Sequence, residues 1–189
     1  ALSDFNGNGL DDIVIGTETD EVYLIYDDGT IASGFPYVTG DKIRSAPSIL
    51  NLGDSLLIVV GSKDGSLYAI NEDGSLRFSF ESDDDIYTSP TFLESSQGTM
   101  IFFGSDNGTL YAVDINGQLF DGFPIPELDS FLGSIVFHDL DSNGLAEIVF
   151  GSENGLLTIL KNNNGTYETY NSFPASNTFS YFSSANIQD

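Results

Sequence analysis

A glycine that closes an apolar run recurs four times along the chain, and this repeat is the strongest constraint on the fold. The runs end in "IVIG", "IVVG", "IFFG" and "IVFG", at Gly16, Gly61, Gly104 and Gly151, with spacings of 45, 43 and 47 residues. Each is followed by a similar stretch, such as "SKDGSLYAINEDGSLRFSF" after Gly61. A period in the forties is typical of repeat architectures, propeller blades among them, in which neighbouring units bury each other's faces.

Each repeat unit contains four short segments with the pattern of β-strands. "LLIVVGS" is apolar throughout, as expected for a strand buried on both faces, while "LRFSF" alternates apolar and polar residues. "SLYAIN" lies between them, and a further strand precedes each unit's apolar run, as in "SAPSILNL" and "GSIVFHDL". Asp-Gly and Asn-Gly pairs supply tight hairpin turns. We therefore predict an all-β fold, a β-propeller of four-stranded antiparallel blades, over a β-sandwich, which would lack such regular internal similarity.

The repeat predicts a single propeller segment over 1–189. Its blade units run approximately over 1–43, 44–86, 87–131 and 132–175, with the start of a further blade at 176–189. Asp4 and Asp189 both align with Asp139, so the two ends lie at the same phase of the repeat. We therefore expect about four blades of a longer propeller, within a larger multidomain chain.

Composition excludes several classes of function. The sequence has 29 acidic and five basic residues, a net charge of −24, which disfavours nucleic acid and anionic membrane as partners. No apolar run approaches the ~20 residues that span a bilayer, so we expect no membrane insertion. There is no cysteine, and one histidine, His138, cannot build a catalytic apparatus unaided. With no nucleophile or phosphate-binding motif either, we predict that the chain is not an enzyme.

Two segments at equivalent phases of the repeat have the spacing of metal-binding loops. We call residues 4–12 the first loop and residues 139–147 the fourth loop. The predicted ligands of the first loop are Asp4, Asn6, Asn8, the carbonyl of Leu10, and Asp12. Those of the fourth loop are Asp139, Asp141, Asn143, the carbonyl of Leu145, and Glu147. Alternate oxygen donors around a sharp glycine turn suit a hard cation, so we predict two structural calcium sites.

Two alternatives qualify this prediction. An EF-hand is excluded, because its twelfth position, a glutamate, is here Ile15 or Phe150 within an apolar strand. A metal-free hairpin is the other alternative, because aspartate, asparagine and glycine are also ordinary turn residues. Neutral Asn6 and Asn8 lead us to expect weaker binding in the first loop, or comparable binding if its geometry is rigid.

At these residues the sequence resembles the FG-GAP (VCBS-type) repeats of integrin α-subunit propellers and many secreted bacterial proteins. Those blades carry D-x-D-x-D-G-x-x-D calcium loops, which "HDLDSNGLAEIVFGS" and "DFNGNGLDDIVIG" match, and Phe-Gly occurs at 103–104 and 150–151. The second and third units lack the carboxylate ladder. The resemblance implies a calcium-stabilised, secreted or cell-surface propeller for adhesion or for recognition of a protein or glycan ligand.

Other functions stay open at this point. "GSKDGSLYAIN" also resembles blades of quinone-type dehydrogenases, although the chain has no tryptophan, and some polysaccharide lyases use propeller scaffolds. The chain could also be an architectural spacer. The acidic stretch 81–87 could be a second cation site or an acidic patch for a basic partner, but its composition favours a solvated loop between blades. Aromatic residues near the equivalent loops could form a ligand platform or pack between blades: Tyr37, Tyr87, Phe131, Tyr181 and Phe182.

Overall fold

A computed structural model of the chain describes residues 1–126, 128, 130, 133–152 and 156–174. These residues form fifteen strands in four antiparallel sheets. No helix occurs among them, and therefore none of a length and apolarity that would cross a membrane. The all-β prediction is confirmed.

The four sheets follow one another along the sequence. The first contains β1 (Leu2–Ser3), β2 (Asp12–Gly16), β3 (Glu21–Ile25) and β4 (Tyr37–Val38). The second contains β5 (Ser48–Asn51), β6 (Leu56–Gly61), β7 (Ser66–Asn71) and β8 (Leu76–Glu81). The third contains β9 (Thr91–Ser95), β10 (Gly98–Gly104) and β11 (Leu110–Val113). The fourth contains β12 (Val136–His138), β13 (Glu147–Gly151), β14 (Leu156–Asn163) and β15 (Thr166–Pro174).

The third sheet departs from the predicted four strands. After β11, pairing among the described residues continues as isolated bridges, Val113 to Leu119 and Leu110 to Ile125. Pro124 and Pro126 flank the second bridge, and proline has no N–H with which to extend a ladder. The fourth strand of this unit is therefore reduced to single bridges.

The hairpin turns use the predicted dipeptides. Glycine takes a positive φ in the Asp64-Gly65 and Asn116-Gly117 turns, at 81° and 79°, a conformation that it adopts without steric cost. The Asn154-Gly155 turn lies outside the described residues. Central strands such as β6 and β10 are buried on both faces, which accounts for their continuous apolar runs.

The chain divides into two compact units, Ala1–Pro90 and Thr91–Asp189, each with its own core. In the first unit, the core joins apolar residues of the first and second sheets: Val14, Val22, Leu24, Ala32, Ile43, Ile58, Val60 and Ile70. In the second unit, Phe102 packs at 5.4 Å from Phe123 and 4.8 Å from Phe137, measured between ring centroids. The prediction of one continuous propeller segment over 1–189 stays a prediction.

The repeat glycines provide space for an isoleucine. A Cβ built on Gly61 would lie 2.9 Å from Cβ of Ile86 and closer still to its Cγ2. Gly16 stands in the same relation to Ile43, whose Cβ would lie 3.0 Å away. Any larger residue at these two positions would displace the isoleucine, and this explains the glycines that define the repeat in the first unit.

Candidate metal sites in two hairpin loops

The fourth loop joins β12 to β13 and is folded around the carboxylate of Asp139. The Asn143 N–H donates to Asp139 Oδ1 at 3.0 Å, and the Gly144 N–H donates to Oδ2 at 2.8 Å. Asn143 Oδ1 accepts from the Leu145 N–H at 2.7 Å, and Asp141 Oδ1 accepts from the Asn143 N–H at 3.2 Å. The predicted ligand side chains therefore also hold the backbone of the loop, as turn-forming aspartate and asparagine do.

Glu147 opens β13 and contributes a carboxylate from inside the protein. Its side chain is almost fully buried, with 2% of the residue exposed. Oε2 accepts from the Leu140 N–H at 2.7 Å, but buried Oε1 has no hydrogen-bond partner. Leaving a charged oxygen buried and unpaired costs free energy. A cation bound at Glu147 would therefore give the buried Oε1 the partner that it lacks.

The three carboxylates of the fourth loop lie together. One oxygen from each of Asp139, Asp141 and Glu147 falls within 4.8 Å of the others. Three negative groups at this separation repel one another and attract cations. Two observations thus fit the predicted metal site: the three carboxylates lie close together, and Glu147 Oε1 has no hydrogen-bond partner.

Lys161 is a neighbour of this cluster that sequence analysis missed. It lies in β14, and its Nζ contacts Asp141 Oδ2. This contact is the main reason that the pKa of Asp141 lies below its usual value. The register of β13 and β14 could have identified it. Leu160 pairs with Ile148, so the antiparallel register places the next residue, Lys161, opposite Glu147.

The first loop is built on the same scaffold. Asp4 Oδ1 accepts from the N–H groups of Gly7 and Asn8 at 2.7 and 3.1 Å, and Asp4 Oδ2 accepts from Gly9 at 2.7 Å. Asn8 Oδ1 accepts from the Leu10 N–H at 2.8 Å. These donors, Gly9 foremost, lower the pKa of Asp4. The equivalence of the two loops in the repeat therefore extends to their hydrogen bonds.

The loops differ at their ninth position. Asp12 is fully buried, like Glu147, but its Oδ2 accepts from the Phe5 N–H at 2.8 Å and its Oδ1 from the Asp27 N–H at 2.9 Å. Asn6 approaches the same Oδ1 at 3.5 Å through its amide, and the Asn8 amide donates to Asp27 Oδ1 at 2.8 Å. In the first loop both oxygens of the buried carboxylate therefore already have partners within the protein.

Three predicted carboxylate ligands of the fourth loop thus lie together, whereas the predicted ligands of the first loop are linked by hydrogen bonds. Leu10 and Leu145 enter these networks through their N–H groups, and the roles of their carbonyls as ligands stay predictions.

In the acidic stretch, Asp85 Oδ2 lies 3.4 Å from Lys63 Nζ and accepts from the Tyr87 hydroxyl at 2.9 Å. Three residues of the predicted aromatic platform lie outside the described residues: Phe131, Tyr181 and Phe182.

A cleft of about 530 Å³ borders the fourth loop within the second unit. Its lining includes Asp139 and Leu145 of the fourth loop and the aromatic residues Phe120 and Tyr167. Burial raises the pKa of the Tyr167 hydroxyl. The cleft therefore has aromatic side chains and a carboxylate of the candidate metal site in one lining.

No protein-family model matches the chain, and no curated protein matches it. Solved structures do match its fold. The chain is similar to a crystal structure of BamB from Moraxella catarrhalis, with 17% identity, 92% of this chain and 47% of BamB covered, and a TM-score of 0.63. It is similar to the computationally designed Ika8 protein, with 16% identity, 100% and 52% coverage, and a TM-score of 0.68. It is also similar to BBS1N in complex with ARL6DN, with 14% identity, 89% and 51% coverage, and a TM-score of 0.62.

These three structures have β-propeller folds, so the chain is a partial β-propeller built of antiparallel sheets. The prediction of fold class is confirmed. At identities of 14 to 17% the likeness concerns the fold alone. The chain spans about half the length of each of these proteins.

Proposed function

We propose that the chain is a non-catalytic β-propeller module, stabilised by calcium, that recognises a protein or glycan ligand in a secreted or cell-surface protein. One observation carries the calcium part of this proposal. Oε1 of Glu147 is a buried carboxylate oxygen without a hydrogen-bond partner, and the carboxylates of Asp139 and Asp141 lie beside it. A divalent cation would give that oxygen a partner and would offset the repulsion among the three carboxylates.

The donor set of the fourth loop favours calcium over other metals. Its side chains offer only oxygen atoms, from Asp139, Asp141, Asn143 and Glu147, and calcium takes six to eight oxygen ligands in flexible geometry. Magnesium demands a near-ideal octahedron and keeps several waters. The carbonyl of Leu145 would complete the protein's share of the ligands. Bound calcium would act structurally, by fixing the hairpin between β12 and β13.

We propose the first loop as a second, weaker calcium site. Asn6 and Asn8 carry no charge, and a cation would have to compete for Asp12 with the N–H groups of Phe5 and Asp27. Because both oxygens of Asp12 already accept hydrogen bonds, a bound metal would lower the free energy of the first loop less than that of the fourth. The two loops should therefore differ in calcium affinity although their backbone hydrogen bonds correspond.

Thermal unfolding in chelator and in millimolar calcium tests this proposal. At free calcium ~100 times Kd, one site stabilises the fold by roughly 2.7 kcal/mol. That corresponds to a rise in Tm of about 5 to 11 °C for a chain of this size. Glu147→Gln and Asp139→Ala should abolish most of the rise, whereas the matched first-loop variants Asp12→Asn and Asp4→Ala should retain it. A calcium response that is absent from the wild type, or unchanged in Glu147→Gln, would overturn the fourth-loop site.

The cleft beside the fourth loop supports the recognition part of the proposal. Its volume lies in the range of small-ligand sites. Aromatic Phe120 and Tyr167 offer flat apolar surfaces, and Glu94 and Asp121 offer acceptors for hydroxyl groups, a combination that suits a neutral sugar. The resemblance to FG-GAP repeats supports the secreted or cell-surface setting, where millimolar calcium would fill even a weak site.

A glycan array and a pull-down from extracellular fluid, each with Tyr167→Ala as the comparison, test recognition. Binding that this variant loses supports the cleft as the ligand site. No captured glycan or protein would favour an architectural spacer and overturn the recognition proposal. Incubation with acidic polysaccharides tests the absence of catalysis, because any chain cleavage would assign the module to an enzyme.

A further inference from the structure

Among the described residues, asparagine is followed by glycine at six positions. Three of these asparagines are predicted ligands of the first and fourth loops: Asn6, Asn8 and Asn143. The other three lie in hairpin turns: Asn107, Asn116 and Asn164. All six residues are exposed. The six positions therefore share the same pair of residues and the same access to water, and they differ in the contacts of the backbone.

An Asn-Gly pair is the sequence most prone to spontaneous deamidation, because glycine has no side chain to hinder the attacking nitrogen. The glycine nitrogen bonds to Cγ of the asparagine, and the Cγ–Nδ2 bond breaks to release ammonia, which carries away the proton of the glycine N–H. Water then opens the succinimide ring at one of its two carbonyl carbons and gives aspartate or isoaspartate. Each event replaces a neutral amide by a carboxylate. Its rate depends on how readily the glycine N–H gives up its proton.

In the two metal loops a carboxylate holds this proton. The N–H groups of Gly7 and Gly9 donate to the two oxygens of Asp4, each at 2.7 Å. The Gly144 N–H donates to Asp139 Oδ2 at 2.8 Å. A hydrogen bond to an ionised acceptor is about twice as strong as one between neutral groups, and the negative charge opposes removal of the proton. Attack by these three nitrogens therefore requires a charge-assisted hydrogen bond to break.

In the three hairpin turns the same proton is held by a neutral acceptor. The N–H groups of Gly108 and Gly117 each donate to the backbone carbonyl three residues earlier, at 3.1 and 3.0 Å. The Gly165 N–H donates to the side-chain oxygen of Asn162 at 2.9 Å. These three hydrogen bonds are longer than the three to carboxylates, and their acceptors carry no charge. The glycine nitrogens of the turns therefore lose their protons more readily.

Side-chain hydrogen bonds do not separate the two groups. In the first loop, the Asn8 amide donates to Asp27 Oδ1 at 2.8 Å. In a turn, Asn107 Oδ1 accepts from the hydroxyls of Ser105 and Thr109 at 2.8 and 3.1 Å. The acceptor of the glycine N–H is therefore the contact that distinguishes the loops from the turns.

We propose that Asn107, Asn116 and Asn164 deamidate spontaneously in the folded protein, and that Asp4 and Asp139 protect the asparagines of the metal loops from this reaction. The protein then gains negative charge at its turns as it ages, whereas the loops keep the ligands that the sequence encodes. Asn164 also lines the cleft beside the fourth loop. Its conversion places a new carboxylate in that lining.

Peptide mapping by mass spectrometry measures all six rates in one sample. The full 189-residue chain is incubated in mildly alkaline buffer with chelator, so the result does not depend on whether the loops bind calcium. The rate at each asparagine is divided by its rate in the urea-unfolded chain, which removes any effect of the neighbouring sequence. The loop asparagines should then react at least about fivefold more slowly than the turn asparagines. Equal rates in the two groups, or turns that do not react, would overturn the proposal.

Asp139→Asn tests the protecting carboxylate itself. The variant keeps an acceptor oxygen but loses the charge, so deamidation of Asn143 should accelerate at least about fivefold. Asp141→Asn is the matched control, because it removes the same charge from the same loop, but Asp141 accepts from the Asn143 N–H and not from that of Gly144. It should leave the rate at Asn143 unchanged. Circular dichroism establishes that both variants are folded.

The two variants distinguish protection from its opposite. A carboxylate that acted as a base toward the Gly144 N–H would promote the reaction, and Asp139→Asn would then slow deamidation of Asn143. That result, or an equal acceleration in Asp141→Asn, would overturn the assignment of Asp139 as the protecting residue. The comparison of loops and turns in the wild type stays decisive if either variant fails to fold.

Discussion

Replacement of Gly61 by alanine should destabilise the protein through a single contact. The added Cβ would lie 2.9 Å from Cβ of Ile86 and closer to its Cγ2, a separation that the two residues cannot keep. Ile86 is fully buried, and its β-branched side chain has little rotamer freedom with which to move away. Overpacking a buried site costs typically 1–3 kcal/mol, and this rigid contact belongs at the upper end, about 3 kcal/mol.

A double-mutant cycle tests the origin of that cost. Leucine at position 86 has no methyl branch on Cβ, so Ile86→Leu removes the atom nearest to the new alanine and should alone cost less than about 1.5 kcal/mol. The double variant Gly61→Ala/Ile86→Leu should then recover at least about 1 kcal/mol relative to the sum of the two single effects. Urea unfolding, followed by circular dichroism, measures all four proteins. Additive effects, or a Gly61→Ala variant as stable as the wild type, would refute the contact as the cause.

Two further predictions concern charged neighbours. Lys161→Met should tighten calcium binding about two- to fivefold in a calorimetric titration, because the ammonium group competes with a cation for Asp141. Lys161→Arg keeps the positive charge and should not tighten binding. Weaker binding in the methionine variant would contradict this prediction. Burial, and then the hydrogen bond to Asp64, raises the pKa of Tyr68 from its ordinary value of 10.0 to about 12. The neutral phenol therefore stabilises the folded state below pH 10, and that contribution is lost as pH rises toward 12. Ultraviolet titration of the wild type should therefore show a tyrosine that ionises near pH 12 and that is missing from Tyr68→Phe. Ionisation of every tyrosine near pH 10 would contradict this assignment.

Sequence periodicity was sufficient to predict the sheets, because apolar runs and Asp-Gly or Asn-Gly turns act locally. It also located the two loops, since ligand spacing is a local property as well. The reduced fourth strand of the third sheet was not predicted, although Pro124 and Pro126 are visible in the sequence. A proline interrupts a strand only where its missing N–H would have donated to the neighbouring strand. Which N–H groups point toward that strand depends on the register, which the sequence does not show.

The difference between the two loops could not be predicted for a related reason. Asp12 and Glu147 occupy the same position of the pattern, but their oxygens meet different backbone. The N–H groups of Phe5 and Asp27 donate to the two oxygens of Asp12, whereas Glu147 receives one N–H, from Leu140, and its Oε1 has no partner. The spacing of the ligands in the sequence does not show which backbone N–H groups will reach the buried carboxylate, because these groups come from other segments of the fold.

The contacts of Gly16 with Ile43 and of Gly61 with Ile86 also bear on how a chain of this kind can lengthen. Ile43 and Ile86 lie in the segments that lead from one sheet toward the next, and each rests on the glycine of the sheet just completed. A duplicated repeat would therefore carry both members of its own contact and would need no change in its neighbours. Gene segments that encode whole repeats could be gained or lost in steps, whereas an insertion that separates a glycine from its isoleucine would leave a buried gap on one side and an unplaced side chain on the other.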